Sequence, residues 1–127
     1  MIPQDLRYTN DHEWVRIEGD EAVVGITDYA QAELGDITFV ELPDKGKQIS
    51  KGAGAATVES VKAASDIYSP VSGDIIEVNN GLENSPEMIN QSPYETGWVF
   101  RVKVLDSEEL NGLMDAASYE KYLDTLR

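Results

Sequence analysis

Apolar and mixed residues alternate most cleanly in Trp98-Val99-Phe100-Arg101-Val102-Lys103-Val104, and a period of two predicts a half-buried strand. Upstream, Trp14-Val15-Arg16-Ile17 and Ala22-Val23-Val24-Gly25-Ile26 flank Glu18-Gly19-Asp20-Glu21, a glycine-containing connection of hairpin length. They predict a first antiparallel ribbon. Thr27 or Asp28 can cap a short helix running through Glu33, with Gln31 three residues after Asp28 in a box-like position and Gly35 as the stop signal. Residues 36–49 read as strand again, punctuated by Pro43 and Gly46. Gly52 and Gly54 then precede a run that climbs to Lys62 and returns through Tyr68, Pro70 and Gly73 into Ile75-Ile76-Glu77-Val78.

Gly35-Asp36-Ile37 and Gly73-Asp74-Ile75 are each followed shortly by a glutamate and an aliphatic residue, a quasi-repeat that fits a two-fold sandwich better than a solenoid. Ser85-Pro86-Glu87 predicts about one helical turn before Asn90 and Pro93. The carboxyl end reads as helical: Leu110, Leu113 and Met114 in one stretch, then Tyr119, Tyr122, Leu123 and Leu126 at i, i+3, i+4 and i+7 after a cap at Asp115. These stripes are expected to cover the core. Trp14 and Trp98, in strand-like segments, are expected to anchor it with their indole N–H groups bonded to backbone. The fold class is mainly β, and the 127 residues suffice for one core, with nothing requiring a second domain.

Charge narrows the partners. Ten Lys and Arg stand against 24 Asp and Glu, a formal charge of −14, so no basic stripe exists to displace counterions from nucleic acid or an anionic membrane. Partners with basic docking faces are favoured, and solubility is the plain alternative reading of the same excess. No apolar stretch is long enough to cross a bilayer, and the amino end lacks the pattern of a secretory signal. Cysteine is absent, which removes thiolate metal sites, disulfides and cysteine nucleophiles. With a single histidine there is no Ser-His-Asp or Cys-His set, and the chain is not expected to be an enzyme. His12 between Asp11 and Glu13 is expected to play a packing or surface part, because consecutive residues of a strand cannot all face one ion.

The residue that stands out is Lys62, a single cation among small and apolar neighbours in Glu59-Ser60-Val61-Lys62-Ala63-Ala64-Ser65, between two strand-like stretches. Such a run predicts a hairpin crest that presents one amine. An ordinary solvated lysine is the competing reading. The run closely resembles the attachment sequence of the glycine cleavage system H proteins, the lipoyl carriers of that complex. The same family's pattern is matched in order by Asp11-His12-Glu13-Trp14-Val15, Gly25-Ile26-Thr27-Asp28-Tyr29-Ala30-Gln31, Leu34-Gly35-Asp36-Ile37, Val40-Glu41-Leu42-Pro43 and Pro93-Tyr94-Glu95-Thr96-Gly97-Trp98.

That resemblance implies a lipoyl/biotinyl-type barrel-sandwich hybrid with short helices and a C-terminal helix. It would form a single carrier domain over residues 1–127, with its core at 8–105 and the helical segment at 107–126. It implies lipoic acid in amide linkage to Lys62. The lipoylated protein would carry the aminomethyl group from glycine decarboxylase to a tetrahydrofolate-dependent aminomethyltransferase and be reoxidised by dihydrolipoyl dehydrogenase. A lipoyl transferase or lipoate ligase would load it. In the family the loaded arm folds into a cleft with acidic residues, at positions corresponding here to Glu13 and Asp66, each of which reads otherwise as an exposed carboxylate. Glu59, from its place in the attachment run, is a candidate contact for the modifying enzyme, with sheet-surface charge as the alternative. A carrier that visits several enzymes is expected to be monomeric, and to work in the cytoplasm of a bacterium or, as a processed form, in the mitochondrial matrix.

Other readings remain open at this point. Biotinyl domains present a lysine on a similar hairpin but bracket it with methionines, where Val61 and Ala63 stand here. An H-like relay that passes lipoyl groups to 2-oxoacid dehydrogenases would use the same residues. An acidic interaction domain without a cofactor would use none of them.

Overall fold

The structure is a computed structural model and describes residues 2–126. Its strands are β1 (Arg7–Tyr8), β2 (Glu13–Glu18), β3 (Glu21–Ile26), β4 (Ile37–Glu41), β5 (Gln48–Ile49), β6 (Gly54–Ser60), β7 (Ala64–Tyr68), β8 (Gly73–Val78) and β9 (Phe100–Val104). Helices α1 (Asp28–Leu34), α2 (Gly81–Asn84), α3 (Met88–Gln91) and α4 (Ala116–Thr125) join them, with a 3-10 helix at Ser107–Gly112. The strands make two sheets. One runs β1-β2-β3-β9-β8-β5 and the other β4-β6-β7, all pairs antiparallel.

The first ribbon forms as the pattern predicts. Glu18 pairs with Glu21, so the strands reach further than expected and leave a two-residue turn in which Gly19 takes φ 64°. β3 reads as a nearly unbroken apolar run because both of its faces are buried. Ala22, Val24 and Ile26 face the space between the sheets with Val15, Ile37, Val40, Val58, Ile67, Ile75, Phe100 and Val102. Val23 faces the other way, into a second cluster with Leu6, Tyr8, Trp14, Ala116, Tyr119 and Leu123. That cluster exists because α4 lies over the outside of the larger sheet, and Tyr8 and Met114 tie the two ends of the chain by reciprocal backbone hydrogen bonds of 2.8 and 2.9 Å.

Trp14 is fully buried, and its Nε1 donates to the Pro93 carbonyl oxygen at 2.8 Å. Its ring lies on the bare α-carbon of its cross-strand partner Gly25, where an added Cβ would come within 2.6 Å of the indole. Trp98 departs from expectation: β9 begins at Phe100, and Trp98 lies half-buried in the approach to it, packed against the second cluster. Thr27 is the cap of α1, its Oγ1 accepting from the Ala30 N–H at 3.3 Å. Gln31 bonds the Asp28 side chain instead of closing a capping box. Asp115 caps α4 as expected, and Tyr119 and Leu123 are buried, whereas Leu126 is 45% exposed at the helix end and drops out of the stripe. Stretch 107–112 is a 3-10 helix, α2 and β1 carry no pattern that predicts them, and residues 36–49 split into β4 and β5 around Gly46 at φ 93°.

Candidate functional site

The β6–β7 hairpin puts Lys62 at its crest. Glu59 pairs with Ala64, and only residues 61–63 lie between the two strands. Ser60 organises the turn. Its N–H donates to the Ala63 carbonyl oxygen at 2.7 Å, and its Oγ accepts from the N–H groups of Lys62 and Ala63 at 3.2 and 3.1 Å. A hydroxyl that takes up backbone donors in this way fixes a turn without any buried side chain. Sequence reasoning did not single out Ser60, although serine at the start of a turn is a legible signal.

The crest also leans on the corner between α1 and β4. Val61 N–H donates to the Asp36 carbonyl oxygen at 3.1 Å. The Lys62 stem crosses Gly35, where a Cβ would stand 3.1 Å from Lys62 Cε. Gly35 has φ 80° and ψ −160°, a region only glycine occupies readily, so the residue that ends α1 also leaves open the bed for the lysine stem. Val61, 69% exposed, and exposed Ala63 flank the amine without enclosing it. An exposed amine on a backbone held from both sides fits a tethered acyl group: the base is fixed and the tip is free to enter another protein.

Glu59 and Asp66 lie on the outer face of the smaller sheet. Glu59 sits between Phe39 and Ala64 across the strands, and Thr57 sits between Glu41 and Asp66. Asp66 accepts a hydrogen bond from Thr57 Oγ1 at 3.1 Å and borders a cavity of about 460 Å³ with Glu41, Asp44 and Lys47. Glu59 is exposed, as is Phe39 beside it.

Glu13 is elsewhere. It is 2% exposed, which removes the alternative reading of an ordinary exposed carboxylate. Oε1 accepts from Thr9 Oγ1 at 2.8 Å and Oε2 from the Tyr68 N–H at 3.0 Å. Burial raises its pKa to about 7, against the opposing pull of those two hydrogen bonds. It borders a cavity of about 240 Å³ with Tyr8, Asp11, Lys51 and Tyr68. Glu13 thus meets β7 at Tyr68, two residues beyond Asp66, and the two carboxylates border different cavities.

His12 takes φ 67°, outside the strand, and turns into an aromatic cluster with Tyr29, Tyr119 and Tyr122. Its Nδ1 lies 2.8 Å from the Tyr119 hydroxyl, which lies 2.7 Å from Thr27 Oγ1, and burial lowers its pKa. It joins α4 to the start of α1 and stands apart from Lys62.

The family model described as "Glycine cleavage H-protein" matches residues 6–126. The chain belongs to the glycine cleavage H-protein family. Similar curated proteins include the glycine cleavage system H proteins of Thermus thermophilus, 54% identical over 98% of this chain and 97% of that one, and of Aeromonas hydrophila, 56% identical over 97% and 96%. The crystal structure of a glycine cleavage system H protein from Mycobacterium marinum superposes with a TM-score of 0.87 at 40% identity, covering 94% of this chain and 97% of that one. The fold is thus the barrel-sandwich hybrid of the H proteins, as the resemblance implied. Membership of this family implies a lipoyl-carrier role, and the name of the glycine cleavage system implies its other components as partners. Among the described residues no helix is long and apolar enough to cross a membrane.

Proposed function

We propose that Lys62 is the lipoyl attachment residue, and that residues 1–127 act as one monomeric carrier domain between glycine decarboxylase, the aminomethyltransferase and dihydrolipoyl dehydrogenase. The observation that carries this reading is the crest itself: an exposed primary amine on a turn fixed by Ser60, with its stem laid across Gly35. When attached, the lipoyl dithiolane supplies a redox-active disulfide that can accept and release the aminomethyl group.

The chain's own work is positional. An alkylammonium must lose a proton before its nitrogen can attack an activated lipoyl acyl group. Attack forms the amide C–N bond and expels the activating group, and the lysine loses its charge. Val61 and Ala63 leave the amine open to a modifying enzyme, while Glu59, exposed on the strand that leads to the crest, offers that enzyme a carboxylate. Asp66 and Glu13 are proposed as contacts for a cationic arm tip, where each would accept charge-assisted hydrogen bonds. Removing either by an amide substitution should shorten the lifetime of the loaded form, and an unchanged lifetime would take that residue out of the mechanism.

Intact mass tests the main reading. Purified protein incubated with a lipoate ligase, ATP and lipoate should gain one lipoyl mass, and Lys62→Arg should gain none while unfolding at the same urea concentration as wild type. A Lys62→Arg protein that still accepts lipoate, or supports normal glycine turnover in a reconstituted system, would overturn it.

A further inference from the structure

Asn90 lies in α3, 28 residues beyond Lys62 in sequence, yet its side chain grips the corner on which the crest rests. Its Nδ2 donates to Gln31 Oε1 at 2.8 Å and to the Gly35 carbonyl oxygen at 2.9 Å, and its Oδ1 accepts from the Ile37 N–H at 2.9 Å. One amide thus ties the last turn of α1 to the first residue of β4. Residues 35–37 are held from one side by Asn90. On their other side they carry the crest, through the Asp36 carbonyl oxygen bonded to Val61 N–H and through the bare Gly35 beneath the Lys62 stem.

Resting on the reading of Lys62 as the acylated residue, we infer that Asn90 is a positioning residue for the loading of Lys62. It never touches the amine. It fixes the corner, the corner fixes Val61 and the lysine stem, and the amine is thereby presented along one direction. The side chain suits the task because a planar amide alone offers both donors and an acceptor in fixed geometry. Two neighbours that must move together, Gly35 C=O and Ile37 N–H, need one of each. Without it both lose their partner, and the corner is free to shift by the fraction of an ångström that matters when two proteins must align reacting atoms.

Asn90→Asp keeps the shape and the acceptor for Ile37 but sets a carboxylate oxygen against Gln31 Oε1 and Gly35 O. Gln31→Ala removes one of the three Asn90 bonds, together with the Gln31–Asp28 side-chain bond, and is the milder variant should Asn90→Asp fold poorly. Asn79→Ala is the control, since Asn79 Nδ2 braces the Thr96 and Trp98 carbonyl oxygens near the start of β9, away from the crest. The full-length unmodified protein is given a lipoate ligase, ATP and lipoate, and initial loading is followed by intact mass over a range of carrier concentrations. The expectation for Asn90→Asp is a loss in kcat/KM of about tenfold or more, with a smaller loss in Gln31→Ala and none in Asn79→Ala. Hydrogen exchange at the Val61 amide should quicken by a similar factor in Asn90→Asp and stay unchanged in the control. Normal loading of Asn90→Asp, an equal loss in Asn79→Ala, or unchanged exchange at Val61 would each overturn the inference. Failure of the wild type to load would fall on Lys62 instead, and the Val61 exchange would still decide whether Asn90 braces the crest.

Discussion

The crest around Lys62 and the aromatic face under α4 hold their shape by opposite means. At the crest nearly every side chain from residue 59 to 66 is exposed, and the backbone is fixed by short-range hydrogen bonds to Ser60 and one bond to Asp36. Under α4, Tyr8 and Tyr119 stack at 4.6 Å, Trp14 is fully buried, and His12 and Thr27 meet the Tyr119 hydroxyl. Burial of large rings stabilises the whole domain, whereas a hydrogen-bonded turn in water adds little to global stability but sets a local geometry. The difference separates two classes of substitution: those that unfold the protein and leave folded copies competent, and those that leave it folded and spoil presentation of the amine.

The strongest way to sharpen that contrast is Trp14→Ala. Loss of a buried ring resting on Gly25 and bonded to Pro93 should cost about 3–5 kcal/mol by urea unfolding, with folded molecules still loaded at Lys62 at the wild-type rate. A small cost would mean that the second cluster does not hold the sheet. Next comes Glu13. Its pKa is about 7 in the fold against 4.5 as the ordinary value, so the native state binds the extra proton. Stability is fully present below the lower value and is lost as pH rises through the upper one. Across that window wild type should lose up to about 3 kcal/mol from this group. Glu13→Gln, neutral throughout and able to bond Thr9 and Tyr68, should flatten this part of the profile; parallel urea midpoints at pH 5 and pH 8 for the two proteins would refute it. The smallest stability effect belongs to Ser60→Ala, about 1 kcal/mol or less, since only exposed turn bonds are lost. Its loading rate should nevertheless fall several-fold, and an unchanged rate would break the distinction between the two regions.

Much of this was legible in the letters. Thr27, Gly35 and Asp115 announced the ends of helices because caps are local chemistry, satisfied by the next three or four residues. The hairpin under Lys62 was legible because small and apolar residues flank it between two strand-like stretches. Other features gave no signal. Trp98 carries the same residue type as Trp14, but only Trp14 faces a glycine across the ribbon and a carbonyl 79 positions away. Leu126 falls in the helical stripe, yet at the end of α4 it is left 45% exposed. Glu13 looks like any acidic residue, and its burial beside Thr9 and the end of β7 depends on how the two sheets meet.

The sequence by itself determined the run of strands and caps, the absence of thiols, and the one lysine set among small residues, since all of these follow from local spacing and residue chemistry. Only the tertiary structure decided that Gly35 lies under the Lys62 stem, that Asn90 holds the corner beneath the crest, and that Glu13 and Asp66 border different cavities. Those relations join residues as far as 55 positions apart. A chain pattern encodes which face of an element is apolar, and it is the closure of one sheet upon the other that determines which polar groups are brought within bonding distance.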